Sequence, residues 1–398
     1  MSGKYKTPML DELEKGAWPS FVTEIKKARN TSSMPEMADD ELGQLEKSFQ
    51  TNRGYWKHGG IVGVLGYGSG VIGRYSSLPE EFPGVAHFHT YRINQPSGFF
   101  YTSKALKEIC DIWDKYGSGL TNMHGSTGDL VLLGTTTENL ESLFAEYSSR
   151  GWDLGGSGSA MRTPSCCIGQ ARCEWANIDA MAICNHMTQH FQDELHRPAF
   201  PYKFKIKVSG CACDCVAAIA RADLSIIGTW KGNIRIDQAE VKNYADSGMD
   251  IQSEIIDMCP TDCMVYDGGA IKINDVQCSR CMHCISKMTK ALRPGEEKGA
   301  TILVGSKAPI VVGSLISWVL VPFIKCDDEG FKKLTELTEN IIEWWDDNAK
   351  PRERLGELIE VKGMRPLLEA IGVDPQPQQV KEPRKDPFFF WSESDFKK

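Results

Sequence analysis

The sequence contains no apolar run long enough to cross a bilayer. Its most apolar stretch, residues 308–324, falls short of the roughly 18 residues a spanning helix needs, and Gly313, Ser314, Ser317 and Pro322 interrupt it. Positive charge is also scarce: 45 Lys and Arg face 53 Asp and Glu, a net charge of −8. That balance argues against a general nucleic-acid binder. The opening residues, MSGKYKTPMLDELEKG, lack the apolar core of a signal peptide, so a cytoplasmic protein without a membrane span is expected. The apolar and charged fractions are those of an ordinary globular protein, and 398 residues are enough for two or three domains.

Cysteine is plentiful. Fourteen cysteines in a reducing compartment point to metal binding or redox chemistry rather than disulfides. All but Cys110, Cys184 and Cys326 fall into three short groups.

Along the chain, residues 1–50 read as a polar helical arm. The run GGIVGVLGYGSGVIGRY from Gly59 reads as a buried strand or hairpin. Its Gly68-x-Gly70-x-x-Gly73 has the spacing of a dinucleotide-binding turn, but no helix follows and Pro79 and Pro83 break the next segment, so that reading is set aside. In HFHTYRI, alternation puts His87, His89, Tyr91 and Ile93 on one face and Phe88, Thr90 and Arg92 on the other. Residues 104–116 read as an amphipathic helix ending near Gly117. The polar loop that follows offers Asn122, His124, Ser126 and Thr127 as hydrogen-bonding groups for carboxylates or phosphates. Helices are expected over 137–149 and 174–195. The strand–helix rhythm through residue 150 indicates an α+β domain.

The stretch YKFKIKVSGCACDC alternates lysines with apolar residues. It predicts a strand that projects Lys203, Lys205 and Lys207 from one face, toward an anion or a solvated cavity, with three cysteines at its end. A solvated edge strand is the alternative. Later, LSIIGTW, TILVG and residues 309–323 read as strands, and helices are expected over 331–347 and within 353–371. The tail carries Phe388 to Trp391 in a proline-rich polar setting that forms no core, either an extended docking arm or a frayed end.

The strongest chemical signal is Cys278-x-x-Cys281-x-x-Cys284, the spacing that wraps three corners of a cubane iron–sulfur cluster. A fourth thiolate must come from elsewhere. Cys259-Pro260 matches the cysteine-proline pair that completes such clusters in bacterial ferredoxins, and Cys263 is the competing choice. GGAIKIND between them reads as a short strand pair. A four-cysteine zinc site is the rival. Among the earlier cysteines (Cys166, Cys167, Cys173, Cys211, Cys213, Cys215), one pairing gives C-x5-C and C-x3-C, again four thiolates. Zinc or a plain structural role stays open for these.

C-x5-C followed by C-x3-C, with K-x-K just upstream, resembles the sirohaem and iron–sulfur site of sulfite and nitrite reductases. Adding CPTDC and CSRCMHC, the chain is similar to the alpha subunits of dissimilatory sulfite reductases. The segments WKHGGIVGVLGYGSGVIGRY, GVAHFHTYR, GSGLTNMHGSTGD, DELHRPAFPYKFK and VKEPR fit the same family. The resemblance runs over roughly residues 8–391 and is weakest over 25–50.

That resemblance implies an α+β fold with an inserted ferredoxin-like [4Fe-4S] domain. The expected divisions are 1–160 for an N-terminal arm and first sirohaem-binding half, 161–244 with 301–355 for the second half, 245–300 for the ferredoxin insertion, and 356–398 for a C-terminal helix and docking tail. It implies sirohaem, or its iron-free form, held by Arg74, Asn122, His124, Ser126 and Thr127 among cationic groups. It also implies two [4Fe-4S] clusters, one on Cys167, Cys173, Cys211 and Cys215, the other on Cys259, Cys278, Cys281 and Cys284. Cys215 would bridge cluster to sirohaem iron. Arg92, Arg162, Lys203, Lys205 and Lys207 would neutralise sulfite and supply protons. The implied assembly is an α2β2 heterotetramer with a beta subunit, served by a small sulfur-carrier protein with a C-terminal cysteine arm. Whether this chain's own haem site works or is structural, and whether the enzyme runs reductively or oxidatively, stays open at this point.

Overall fold

The computed structural model describes residues 3–16, 20–197, 200–308, 313–376 and 379. The aromatic tail around Phe388 to Trp391 lies outside them. Two compact units divide the chain: residues 1–96, 100–163 and 191–203 in the first, and 97–99, 164–190 and 204–398 in the second.

The first unit opens with three helices, α1 (Pro8–Lys15), α2 (Phe21–Thr31) and α3 (Pro35–Thr51). Glu46 of α3 accepts hydrogen bonds from the backbone N–H groups of Met9 and Leu10, satisfying free donors at the start of α1. A five-stranded antiparallel sheet follows, ordered β1-β2-β3-β5-β4: β1 (Trp56–Val64), β2 (Tyr67–Ser76), β3 (His87–Ile93), β4 (Gly117–Met123) and β5 (Leu130–Thr135). The glycine-rich run is therefore a hairpin, with Val71 opposite Val62. Its first strand is mostly exposed rather than buried, because β1 is the sheet edge and has a neighbour on one side only. Gly70 has φ 96°, and a Cβ there would lie 2.8 Å from Leu154 Cβ, so the residue must be glycine to pass.

Helix α4 (Ser103–Tyr116) starts on Thr102, whose hydroxyl accepts from Ala105 N–H at 3.1 Å. With α5 (Leu140–Ser149) it supplies Ile109, Trp113, Leu143 and Tyr147 to a core shared with Val71, Tyr91, Ile93 and Leu132 of the sheet. Each fully buried aliphatic side chain of this kind contributes about 1.5–3 kcal/mol.

The second unit holds a mixed sheet ordered β14-β13-β8-β7-β6. Its strands are β6 (Ser165–Cys166), β7 (Ile206–Ser209), β8 (Leu224–Trp230), β13 (Lys298–Val304) and β14 (Trp318–Lys325). Strand β7 runs parallel to both β6 and β8, and the other pairs are antiparallel. The helix expected over 174–195 begins only at Ala180, as α6 (Ala180–His190), because residues 173–177 are tied down elsewhere: Asn177 N–H donates to Gly210 O at 2.7 Å. A long helix, Asp328–Asn348, packs on α6 through His186 Nε2 and Thr335 Oγ1, 2.8 Å apart. The helical stretch after residue 353 is two helices, Leu355–Lys362 and Met364–Ile371, broken at Gly363 with φ 86°.

Between β8 and β13 lies a compact insertion with its own core of Trp230, Val241, Ile255, Ile271, Met288 and Leu292. It contains the small ribbons β9 (Arg235–Ile236) with β12 (Leu292–Arg293), and β10 (Met264–Asp267) with β11 (Ala270–Ile273). The segment GGAIKIND thus supplies the turn and second strand of its ribbon, and MVYD the first.

Candidate active site and iron–sulfur centres

Parallel pairing of β6 and β7 sets Cys166 opposite Val208, so the chain leaves both strands at the same end. Open sheets place ligands beyond the carboxyl ends of such strands. Cys167 follows β6, with its N–H on Val208 O at 3.1 Å and its sulfur accepting from Gly210 N–H at 3.1 Å. Cys166 turns the other way, fully buried, with Gly98 N–H 3.2 Å from its sulfur. A Cβ on Gly228 would lie 2.1 Å from Gly210 O, which shows how closely these backbones pack.

The loop after β7 carries Cys211, Cys213 and Cys215. Asp214, with φ 47°, organises it. Its carboxylate accepts from Ser209 Oγ at 2.6 Å, Ala218 N–H at 2.8 Å and Ile219 N–H at 2.9 Å. Cys173 sits across from this loop, its N–H on Gly169 O at 2.9 Å. Burial raises the Cys167 thiol above its ordinary value, Gly210 and Gly169 N–H groups oppose this, and nearby Cys166 and Cys215 add to it. Burial pushes Cys211 up to about 12, with Cys173 among the neighbours that add to the rise. Cys213 is also raised by burial, and Cys281 is one of the groups acting on it.

In the insertion, Cys259, Cys263, Cys278, Cys281 and Cys284 line one small cavity of about 20 Å³. Left-handed backbone at Arg280 (φ 56°) and Met282 (φ 71°) curls the CxxCxxC loop, and Arg280 N–H points at Cys278 Sγ, 3.4 Å away. Cys259 and Cys263 sulfurs are 3.5 Å apart. Burial alone would raise the Cys259 thiol, but N–H groups of Thr261 and Cys263 outweigh it and hold the group below its ordinary value. Burial pushes Cys263 up to about 12. Among the described residues no three His, Cys, Asp or Glu side chains converge tightly enough to hold a single metal ion. A cubane spreads its thiolates around a body of four irons, and the cysteines of the insertion surround a cavity rather than a point.

The cationic residues fall in both units. In the first, Arg92 on β3 donates from Nη1 to Asp129 Oδ2 at 3.1 Å, and its buried Nε has no hydrogen-bond partner among the described residues. Burial lowers the Arg74 guanidinium from its ordinary value, and Arg92 is near enough to add to that. Arg74 Nη1 lies 2.8 Å from His58 Nδ1. Arg162 is buried, donates to Ala160 O at 3.2 Å, and acts on Asp129 together with Arg92. Burial lowers His58, helped by Arg74 and Lys203.

The loop reading needs one correction. Asn122 lies in β4 and is exposed, because the strand pairs with β5 as far as Met123. His124 Nδ1 lies 2.9 Å from Thr127 Oγ1, and that hydroxyl donates to Asp129 Oδ2 at 2.8 Å. Thr127 therefore supports the carboxylate under Arg92. Ser126 is half-buried in the same loop.

The predicted lysine strand is shorter than expected. Strand β7 begins at Ile206, and Lys203 belongs to the first unit. Lys205 N–H donates to Asp223 Oδ2 at 2.8 Å. Lys207 is buried and its Nζ donates to Ser165 Oγ at 3.0 Å. Asp214, Asn177 and Asp129 were not singled out from sequence.

Two family descriptions match the chain. The nitrite and sulphite reductase 4Fe-4S domain covers residues 157–378, and the nitrite/sulfite reductase ferredoxin-like half domain covers 83–148. The dissimilatory-type sulfite reductase subunit alpha of Nitratidesulfovibrio vulgaris is 50% identical, over 98% of this chain and 95% of its own. The chain belongs to the family of dissimilatory sulfite reductase alpha subunits, oxidoreductases acting on sulfur compounds. The family's subunit alpha from Allochromatium vinosum is 44% identical over 97% of this chain and 94% of its own. A crystal structure of dissimilatory sulfite reductase I matches with a TM-score of 0.87 at 51% identity, covering 98% of this chain and 96% of that one. Subunit beta from Archaeoglobus fulgidus is 26% identical over 85% of this chain and 90% of its own, so the alpha and beta families are related. The α+β fold expected from sequence is that of this family, and its chemistry is of the sirohaem and iron–sulfur type. No helix among the described residues is long and apolar enough to cross a membrane.

Proposed function

We propose that this chain interconverts sulfite and sulfide as the alpha subunit of an α2β2 complex in the cytoplasm, carrying sirohaem or its iron-free form and two [4Fe-4S] clusters. The observation that carries this reading is the cysteine-lined cavity of the insertion, together with the Cys167 and Cys211 loops brought side by side by β6 and β7. The outer cluster is assigned to Cys259, Cys278, Cys281 and Cys284, and the inner one to Cys167, Cys173, Cys211 and Cys215. Thiols as high as Cys211 become thiolates when a metal takes the proton's place. Cys215 is assigned as the inner-cluster residue that would also help hold the sirohaem.

Sirohaem carries eight carboxylates, and bound beside its cluster it would pass on, singly, the six electrons that an external low-potential donor must provide to turn hydrogensulfite and six protons into hydrosulfide and three waters. This chain's part is to bind and to neutralise. Arg74, Arg92 and Arg162 of the first unit, with Asn122, His124, Ser126 and Thr127, are assigned to the carboxylates and the anion. The buried, partnerless Nε of Arg92 fits such a group, since an unsatisfied buried donor costs about 1–3 kcal/mol. Lys203 of the first unit and Lys205 and Lys207 of the second are assigned to hold protons for breaking S–O bonds. A beta subunit and a sulfur carrier with a C-terminal cysteine arm are the partners.

Purified complex tests this directly. It should show a Soret band, two cluster signals by electron paramagnetic resonance, and sulfite reduction with an artificial donor. A complex with both clusters and no tetrapyrrole would make the chain an electron-transfer subunit instead.

A further inference from the structure

Asn177 touches the loops that carry both cysteine sets of the second unit. Its backbone N–H donates to Gly210 O at 2.7 Å, beside Cys211. Its side-chain Nδ2 lies 3.8 Å from Met282 Sδ, beside Cys281, and 3.4 Å from Trp175 O. Trp175 in turn packs against the core of the insertion, as do Cys259 and Cys278. Residues 173–177 thus form a strap that begins at a cysteine of the inner set and ends on the loop of the outer one.

The strap is dry. Asn177 is 2% exposed and Met282 4%. The Oδ1 of Asn177 has no hydrogen-bond partner among the described residues. An apolar residue of similar size would avoid that unsatisfied acceptor, so packing alone does not account for an amide here.

We propose that Asn177 is a positioning residue for electron passage between the two centres. The route runs from Cys281 and Met282 through the Asn177 amide to Gly210 and Cys211, with Trp175 filling the space beside it. A contiguous path of bonds and polar contacts couples donor and acceptor better than an empty gap. Each passage moves one electron. The outer centre loses it and the inner centre gains it, no proton or covalent bond changes at the amide, and a low-potential one-electron donor re-reduces the outer centre. The inference rests on the reading that each cysteine set holds a cluster.

The test uses the complete complex with its beta subunit, comparing Asn177→Leu and Met282→Leu with the unaltered protein. Iron content, thermal unfolding and equilibrium paramagnetic resonance spectra are recorded first. Reduced methyl viologen is then mixed in, and freeze-quenched samples follow each cluster signal in time. Both variants should keep their iron and equilibrium spectra, while the delay between reduction of the outer and inner centres lengthens several-fold. An unchanged delay in both variants overturns the proposal. If Asn177→Leu loses the inner cluster, Met282→Leu decides, since it leaves the Asn177–Gly210 bond in place: a longer delay upholds the route and an unchanged one sinks it. Absence of a second cluster signal in the unaltered complex would defeat the cluster reading itself.

Discussion

Arg92 and Asp129 form a buried ion pair, Nη1 to Oδ2 at 3.1 Å, with Asp129 fully covered. Thr127 donates to the same oxygen at 2.8 Å. Burial raises the Asp129 carboxyl above its ordinary value while Arg92 opposes the rise. Removing the arginine leaves a buried carboxylate without its largest stabilising charge.

Arg92→Met is expected to abolish most sulfite turnover and to destabilise the protein by about 3–5 kcal/mol near neutral pH. A carboxyl whose folded value is raised favours folding below its unfolded value, about 3.9, and loses that contribution as pH rises through the folded value. The stability deficit of Arg92→Met should therefore shrink as pH falls toward 4. Denaturant titration at several pH values measures it, and a deficit that grows on acidification would contradict the account.

Arg354 clasps Asp223 in the second unit through Nε to Oδ1 at 2.9 Å and Nη2 to Oδ2 at 2.6 Å. Lys205 N–H shares that carboxylate. Arg354→Met should cost about 3–5 kcal/mol, read from the denaturation midpoint. Arg354→Lys should recover only part of it, because an ammonium cannot reproduce the two-pronged contact.

Cys259 and Cys263 are near neighbours with different expected roles. Cys259→Ser should remove the outer cluster signal and leave the haem spectrum unchanged. Cys263→Ser should keep both clusters. The reverse pattern in paramagnetic resonance would exchange the two assignments.

Glu357 accepts Arg354 N–H at 2.8 Å and pairs with Lys307. Burial pushes its carboxyl upward, but Lys307 and Arg354 N–H outweigh this and hold it below the usual carboxylate range. Its stabilisation is complete above the unfolded value, about 4.3, and is lost as pH falls through the folded one. Glu357→Gln should cost about 1 kcal/mol at neutral pH and nothing at strongly acid pH. A constant offset across the acid limb of the unfolding curve would argue against the pair.

Helices and hairpins were legible where period and caps agreed. Helix α4 ends at Gly117 as its amphipathic period and the glycine suggested, and it begins at Ser103, one residue before the expected start. The reading failed where tertiary bonds overrode local preference. Residues 174–179 were read as helix, but Asn177 among them is held by Gly210, and Lys203 never joins the strand that Lys207 occupies.

Cysteine spacing alone left zinc open, but together with the matching segments along the chain it made the family legible without coordinates, because a cluster needs thiolates at separations that a short loop can span. Spacing carries no information about direction. That Cys167 faces Gly210 while Cys166 faces Gly98, that Thr127 serves Asp129, and that Asn177 reaches Met282 were settled by strand register and packing, which join residues far apart along the chain.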